Sequence, residues 1–295
     1  MAGRRSQQIP PSVLAIFGPT ASGKTAVAEA IAERIPAQLV SADSMQVYRG
    51  LPVLTNQDAG ARLVGIWPLD RQGTVGEYQR LAHEAIDEIV ASGQTAIVVG
   101  GSGLWFQAAL TDVQLPADVP DAARGRWERL YARFGPEVAH GLLQRRDPRA
   151  AARVHPNDRK RVVRALELWQ AGGTLVPEQP RLWTAGLRLP TLVVGLDVPS
   201  EALATRIASR AAAMFERGVE EEVRAAGEIV PQVLGLDAVR SLPRAEAIAE
   251  LARSTRRFAA YQRKWMRRIP GVVMIDATRP TEEVADAILE VARAR

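Results

Sequence analysis

The chain has no cysteine among its 295 residues. That excludes disulfides and thiolate metal sites and fits a reducing compartment. The only histidines are His83, His140 and His155, too scattered for an imidazole zinc site. No apolar run approaches the roughly 20 residues that cross a bilayer as a helix. The apolar stretch behind Arg4 and Arg5 is too short for a signal peptide, so residues 1–12 are expected to be a flexible tail. A cytoplasmic protein without membrane contact is expected. Lysine is scarce as well: Lys24, Lys160 and Lys264 stand among 38 basic residues. With almost every basic position given to arginine, a lysine inside a motif calls for a reason.

The motif is Gly18-Pro-Thr-Ala-Ser-Gly-Lys-Thr25, which fits the phosphate-loop pattern. A short apolar run, Val13 to Phe17, precedes it as a predicted buried strand, and a helical pattern from Ala26 to about Ile35 follows. Strand, glycine loop and helix make the right setting for phosphate binding. Gly18 and Gly23 let successive N–H groups curl inward as an anion nest. The helix N-terminus adds partial positive charge. Lys24 offers an ammonium to the terminal phosphates, and the Thr25 hydroxyl suits a Mg²⁺ ion bridging phosphate oxygens. Pro19, Thr20, Ala21 and Ser22 complete the cradle. The loop does not say which phosphate it holds, since a nucleotide triphosphate and an organic diphosphate look alike to it.

Hydrophobic content of 47% and charged content of 24% allow a substantial core in one large or two unequal domains. The first hundred residues alternate strands and helices. Gln38–Ala42 reads as a strand ending at Asp43, Val75–Ala91 as a helix, and Thr95–Val99 as an all-apolar strand closed by Gly100-Gly101-Ser102-Gly103. Buried strands separated by helices predict an α/β fold with a parallel sheet flanked by helices, like the phosphate-loop NTPases. Between Leu110 and about Arg188 only helical patterns occur, bounded by Pro116 and Pro120 and by Pro177 to Pro180. Residues 13–110 and 189–295 are therefore expected to form the core, and 111–188 a helical insertion. Thr191–Leu196 returns to strand. Helices follow at about Ser200–Arg217, on to Ile229, and at Arg244–Arg268. A last strand at Val272–Asp276 precedes a last helix from Thr281.

Asp43 lies at the carboxyl end of its predicted strand, the edge where ligands of such sheets bind. It could serve as a general base, a metal partner or a plain turn cap. Ser44 and Gln46 could read a base edge. Arg210 and Arg217 could close on a diphosphate or pair with nearby acids. Net charge is +5 and the sequence pI about 10, which a polyanionic partner would suit but does not require. Two basic clusters stand out. One runs from Arg145 to Arg164 around His155-Pro-Asn-Asp158. The other, Arg253 to Arg268, has seven basic residues and no acid, with Phe258, Tyr261 and Trp265 interleaved. A solvated face usually alternates sign, so the second cluster favours phosphate backbone and stacked bases.

Taken in order, these residues resemble the tRNA dimethylallyltransferase (tRNA isopentenyltransferase) family from about Val13 to Asp276. The specific parts are the phosphate loop, Asp43-Ser-Met-Gln-Val-Tyr-Arg-Gly50, Val98-Val-Gly-Gly-Ser-Gly-Leu-Trp105, His155-Pro-Asn-Asp158 with Arg161 to Glu167, Met214-Phe-Glu-Arg-Gly218, and Gln262 with Trp265 and Arg267. The family attaches a dimethylallyl group to N6 of the adenosine 3′-adjacent to the anticodon. The resemblance implies dimethylallyl diphosphate as donor, Mg²⁺ as cofactor and the tRNA anticodon stem-loop as partner. It implies that the loop holds the donor diphosphate, with Asp43 as base and Thr20 and Arg210 in the catalytic set. It gives Asp43, Ser44, Met45, Gln46, Ser102, Arg124, Lys160, Arg161, Arg164, Gln262, Arg263, Trp265 and Arg267 to tRNA, with the insertion closing on the anticodon stem. A monomer is expected.

The chain departs from the family pattern at Leu54-Thr-Asn-Gln57, where Gly-Thr-Ala-Lys is usual, and at Ala61-Arg62-Leu63, where His-His-Leu is usual. Gly235-Leu236 replaces Gly-Tyr, and Ala260 and Tyr261 replace two basic residues. The alternatives are a small-molecule kinase using ATP, which shares the loop, the Asp and an arginine, and a nucleotide-binding regulator. The basic aromatic helix speaks against the first. The second lacks a separate strand-end Asp for water activation.

Overall fold

Apolar runs of four to seven residues build the sheet, and the segments between them build its cover. In chain order the elements are β1 (Val13–Phe17), α1 (Lys24–Ala32), β2 (Ala37–Ala42), α2 (Pro52–Thr55), α3 (Val75–Ala91), β3 (Thr95–Gly100), α4 (Gly103–Leu110), α5 (Asp121–Arg146), α6 (Pro148–Ala151), α7 (Arg159–Gln170), β4 (Thr191–Asp197), α8 (Ser200–Glu216), α9 (Val219–Ala225), α10 (Leu236–Ser241), α11 (Arg244–Met266), β5 (Val273–Asp276) and α12 (Thr281–Arg293). The computed structural model describes residues 12–113, 121–175, 186–227, 229 and 231–294. Almost all of the expected tail, and the prolines at 116, 120, 177 and 180, lie outside the described residues.

The five strands are all parallel, in the order β2-β3-β1-β4-β5. β1 is central and buried along its whole length, because helices cover both faces of a sheet whose connections are crossovers. The register decides where the chemistry lies. Phe17 is level with Gly100 on one side and Gly195 on the other, and Gly100 is level with Ala42. Gly18, Gly101 and Asp43 therefore leave the sheet at the same height on its carboxyl edge. Gly100 is required there by space, since a Cβ would run into the Ala42 backbone.

Helix α3 begins with a capping box, Thr74 and Glu77 each bonding the other's backbone N–H. It buries Tyr78, Ala82, Ala85, Ile86 and Ile89. Three helices, α2, α4 and α10, were not expected. α2 and α10 are too short for periodicity to show, and α4 is apolar nearly all round, so it has no polar face to betray it. Arg62 runs beside β2, its backbone bonding Leu39 and Ser41, and covers that sheet edge.

Contacts divide the chain into two units, Met1–Asp112 with Gly186–Arg295, and Val113–Ala185. The first holds the sheet. The second holds α5 to α7 around its own core of Trp127, Leu143, Val162 and Leu166. Within it α5 bends at Gly135, at φ 81°, next to Pro136, so two helical segments run on as one kinked element. Among the described residues, no helix is long and apolar enough to cross a membrane.

Candidate active site

A cleft opens above the carboxyl edge of the sheet. Its polar floor is Thr20, Lys24 and Thr25 from the phosphate loop, Ser41 and Asp43 from the end of β2, and Arg210 from α8. Its apolar wall is Leu54, Ile207, Ala211, Met214, Leu234 and Leu251. Ile207, Arg210, Ala211 and Met214 fall on one face of α8 by helical spacing. That face carries one arginine among aliphatic residues, the arrangement of a site for a ligand with an anionic head and an apolar tail.

The loop is bent where the motif demands it and also where it does not. Gly23 sits at φ 88°, and Ala21 at φ 66°, a region that costs a non-glycine residue on the order of 1 kcal/mol. Gly18 is needed for room, since a Cβ would clash with the Ser22 hydroxyl. Lys24 Nζ donates to Pro19 O at 3.2 Å. Burial pushes the Lys24 ammonium down to about 8, with Asp43 opposing the shift and Arg210 adding to it. Arg210 is lowered by burial too, again opposed by Asp43 and reinforced by Arg217. Lys24 and Arg210 thus face Asp43 in the cleft, where their charges are mutually coupled.

Asp43 Oδ1 accepts the Met45 N–H at 2.9 Å. The turn-cap role and the cleft-lining role are therefore both real, one oxygen serving the turn. Below it, the Tyr78 hydroxyl donates to Ser41 O at 2.9 Å, and burial, with Asp43 adding, holds that hydroxyl neutral well above its usual range.

A family model described as IPP transferase matches residues 46–269, and one described as isopentenyl transferase matches residues 11–67. The chain belongs to the IPP transferase family. The tRNA dimethylallyltransferase of Acidothermus cellulolyticus is 37% identical, over 96% of this chain and 92% of the relative. tRNA dimethylallyltransferase 1 of Mycobacterium ulcerans is 40% identical, over 92% and 95%. The crystal structure of a full-length tRNA isopentenylpyrophosphate transferase from Bacillus halodurans superposes with a TM-score of 0.66 at 28% identity, covering 95% of each chain. A eukaryotic dimethylallyltransferase acting on tRNA shares the fold with a TM-score of 0.76 at 24% identity, over 95% of this chain and 77% of that one.

Within this IPP transferase family member, several residues expected at the RNA are engaged by the protein itself. Ser44 and Ser102 share a hydroxyl–hydroxyl hydrogen bond of 3.1 Å. Met45 Sδ accepts the Leu234 N–H. Gln46 accepts from Ser41 Oγ and donates to Asn56 O, so its head group braces the cleft wall. In the helical unit, Arg124 and Arg164 both pair with Glu167, which is 1% exposed. Arg161 pairs with Asp158 at the start of α7, and Lys160 lies beside it in the same first turn. On α11, Arg263 is held by Asp197 and the Ser200 hydroxyl, Trp265 packs its ring on Gly103, and Arg267 is exposed.

Gln262 is also engaged by the protein itself. Grouped with the RNA contacts on sequence, it is 1% exposed and its Oε1 accepts the Thr20 N–H at 2.7 Å. It faces inward because α11 is amphipathic: Ala259, Gln262 and Met266 form its buried edge. Sequence reading also missed Asn56 and Asp58, which line the cleft. Asn56 lies in the stretch that departs from the family pattern and Asp58 just after it, where only tertiary placement reveals them.

Proposed function

We propose that this protein transfers the dimethylallyl group of dimethylallyl diphosphate to N6 of the adenosine 3′-adjacent to the anticodon in tRNA, releasing diphosphate. The observation that carries the reading is the convergence of Lys24, Asp43 and Arg210 in a cleft with an aliphatic wall. The diphosphate sits on the phosphate loop. Ile207, Met214, Leu234 and Leu251 take the five-carbon tail. N6 attacks the allylic carbon as the carbon–oxygen bond breaks. The bonding pair leaves with the diphosphate, and the N6 proton passes to the Asp43 carboxylate. Lys24 and Arg210 stabilise the charge growing on the leaving group, and Thr20 orients it.

The site fits Mg²⁺. The Thr25 hydroxyl lines the cleft beside Lys24, and no carboxylate and histidine cluster among the described residues holds a metal alone. One protein hydroxyl, phosphate oxygens and water are a donor set Mg²⁺ accepts. When bound, the ion neutralises diphosphate charge.

The target base must leave its stack to reach the cleft. Trp265 and Tyr261, with ring centroids 6.4 Å apart, and the basic face of α11 are proposed to hold the surrounding RNA. Lys160, Arg161, Arg164 and Arg124 are proposed to contact the stem. The same reading expects a monomer in the cytoplasm. ATP-dependent phosphorylation of a small molecule is not favoured, since relatives over the whole chain length are tRNA dimethylallyltransferases.

The test is incubation with Mg²⁺, radiolabelled dimethylallyl diphosphate and unmodified tRNA. Label should enter tRNA with the wild type. Lys24→Ala should lower kcat/KM by about 10²–10³ and Asp43→Ala should lower kcat by about 10²–10⁴. No label with the wild type, and phosphorylation of a metabolite instead, would sink the reading.

A further inference from the structure

Helix α11 turns two chemistries in opposite directions. Its outer face bears Arg256, Lys264 and Arg267, which border a groove against α8. Its inner face bears Gln262, wedged between the phosphate loop and the glycine loop after β3. Oε1 takes the Thr20 N–H at 2.7 Å. Nε2 is buried with no partner among the described residues, beside Gly101, where a Cβ would clash with it and would lie 2.7 Å from Gly18 O. One turn further along α11, Trp265 occupies the space that a Gly103 side chain would need. We propose that Gln262 is a positioning residue for the donor site, its amide holding the phosphate loop in the shape that receives the diphosphate, and that it does not contact RNA.

Three observations support this. An unpaired buried amide costs stability, and a leucine or methionine would fill the same space without that cost. The group is thus retained for its hydrogen bonding. Next, the bond falls on Thr20, immediately before Ala21, whose left-handed φ of 66° persists only where neighbouring contacts over-determine it. Finally, the absence of a side chain at Gly101 leaves room for this amide and for the close approach of Gly18 O, so the two glycine loops meet at one side chain.

The inference rests on the transferase reading, and its test separates the two. Binding of inorganic pyrophosphate with Mg²⁺ is measured by calorimetry without tRNA, and binding of unmodified tRNA without donor. Gln262→Met should weaken pyrophosphate binding about tenfold, the worth of one hydrogen bond, and raise KM for dimethylallyl diphosphate in parallel. Its tRNA affinity should stay within about twofold. Gln262→Asn, which shortens the side chain by one methylene and withdraws its amide from the Thr20 N–H, should reproduce that pattern, and decides the matter if Gln262→Met does not fold. Weakened tRNA binding with pyrophosphate binding intact would overturn the proposal, as would no change in either, or equal loss of both by a folded variant. A wild type that binds pyrophosphate but labels no tRNA would defeat the transferase reading and leave the loop-holding role to be read from pyrophosphate alone.

Discussion

Lys24 shows how far a single side chain could be read in advance. Its place in the motif announces phosphate binding, but its titration depends on neighbours from elsewhere in the chain. Burial holds its ammonium at about 8 instead of 10.5. A diphosphate binds the ammonium and not the amine. Affinity for dimethylallyl diphosphate should therefore be flat at neutral pH and fall by up to about tenfold per unit as pH rises through 8. Lys24→Arg should bind more weakly throughout but without the fall, because a guanidinium stays charged. Calorimetry across pH 6.5 to about 9.5 checks this, and an equal fall in the arginine variant would refute it. Because the folded pKa is depressed, the unfolded chain binds more protons between 8 and 10.5, and the free protein gains stability across that window. Gly18 and Ala21 teach the complementary lesson. The glycine is needed for space rather than for φ, and the strained residue is the alanine.

Among the elements, α11 carries the most that composition alone could not sort. The seven basic residues from Arg253 to Arg268, on α11 and just past its end, form one run in sequence, yet the fold divides them. Arg253 and Arg257 share Glu250, and Arg263 is held by Asp197. Arg256, Lys264 and Arg267 have no ion pair among the described residues and border the groove with α8. Neutralising these three with glutamine should flatten the dependence of log K for tRNA on log salt by about 2–3 units. Neutralising Arg253 and Arg257 should change the slope by less than about one. Filter binding over a salt series tests this, and equal effects of the two sets would remove the distinction. Helix α8 was legible in extent, and its Arg210 was singled out from sequence. Its aliphatic lining of the cleft was not, because Ile207, Ala211 and Met214 look like any core-facing stripe.

At the scale of the molecule, the family match spans both units, residues 46–269. The metal proposed for the site would be held by a hydroxyl and the ligand, since the described residues form no protein cage for it. Chelation with EDTA should therefore abolish transfer to tRNA while leaving the thermal unfolding midpoint within about 1 °C, since no folded-state ligand set is lost. Added Mg²⁺ should restore activity. A large fall in the midpoint on chelation would show a structural metal instead.

What the sequence determined by itself was local. Phosphate-loop spacing, strand runs and helix periodicities depend on neighbours a few residues apart, and β1, β3 and α3 lie where those patterns predict. Family resemblance followed from the same ordered motifs. Strand order, register and the facing of α11 were decided only by tertiary structure, because they depend on which crossovers pack onto which face of the sheet. The register of Phe17 with Gly100, and of Gly100 with Ala42, brings Gly18 and Asp43 to one edge. The packing of α11 across that edge turns Gln262 inward, onto the Thr20 N–H of the phosphate loop.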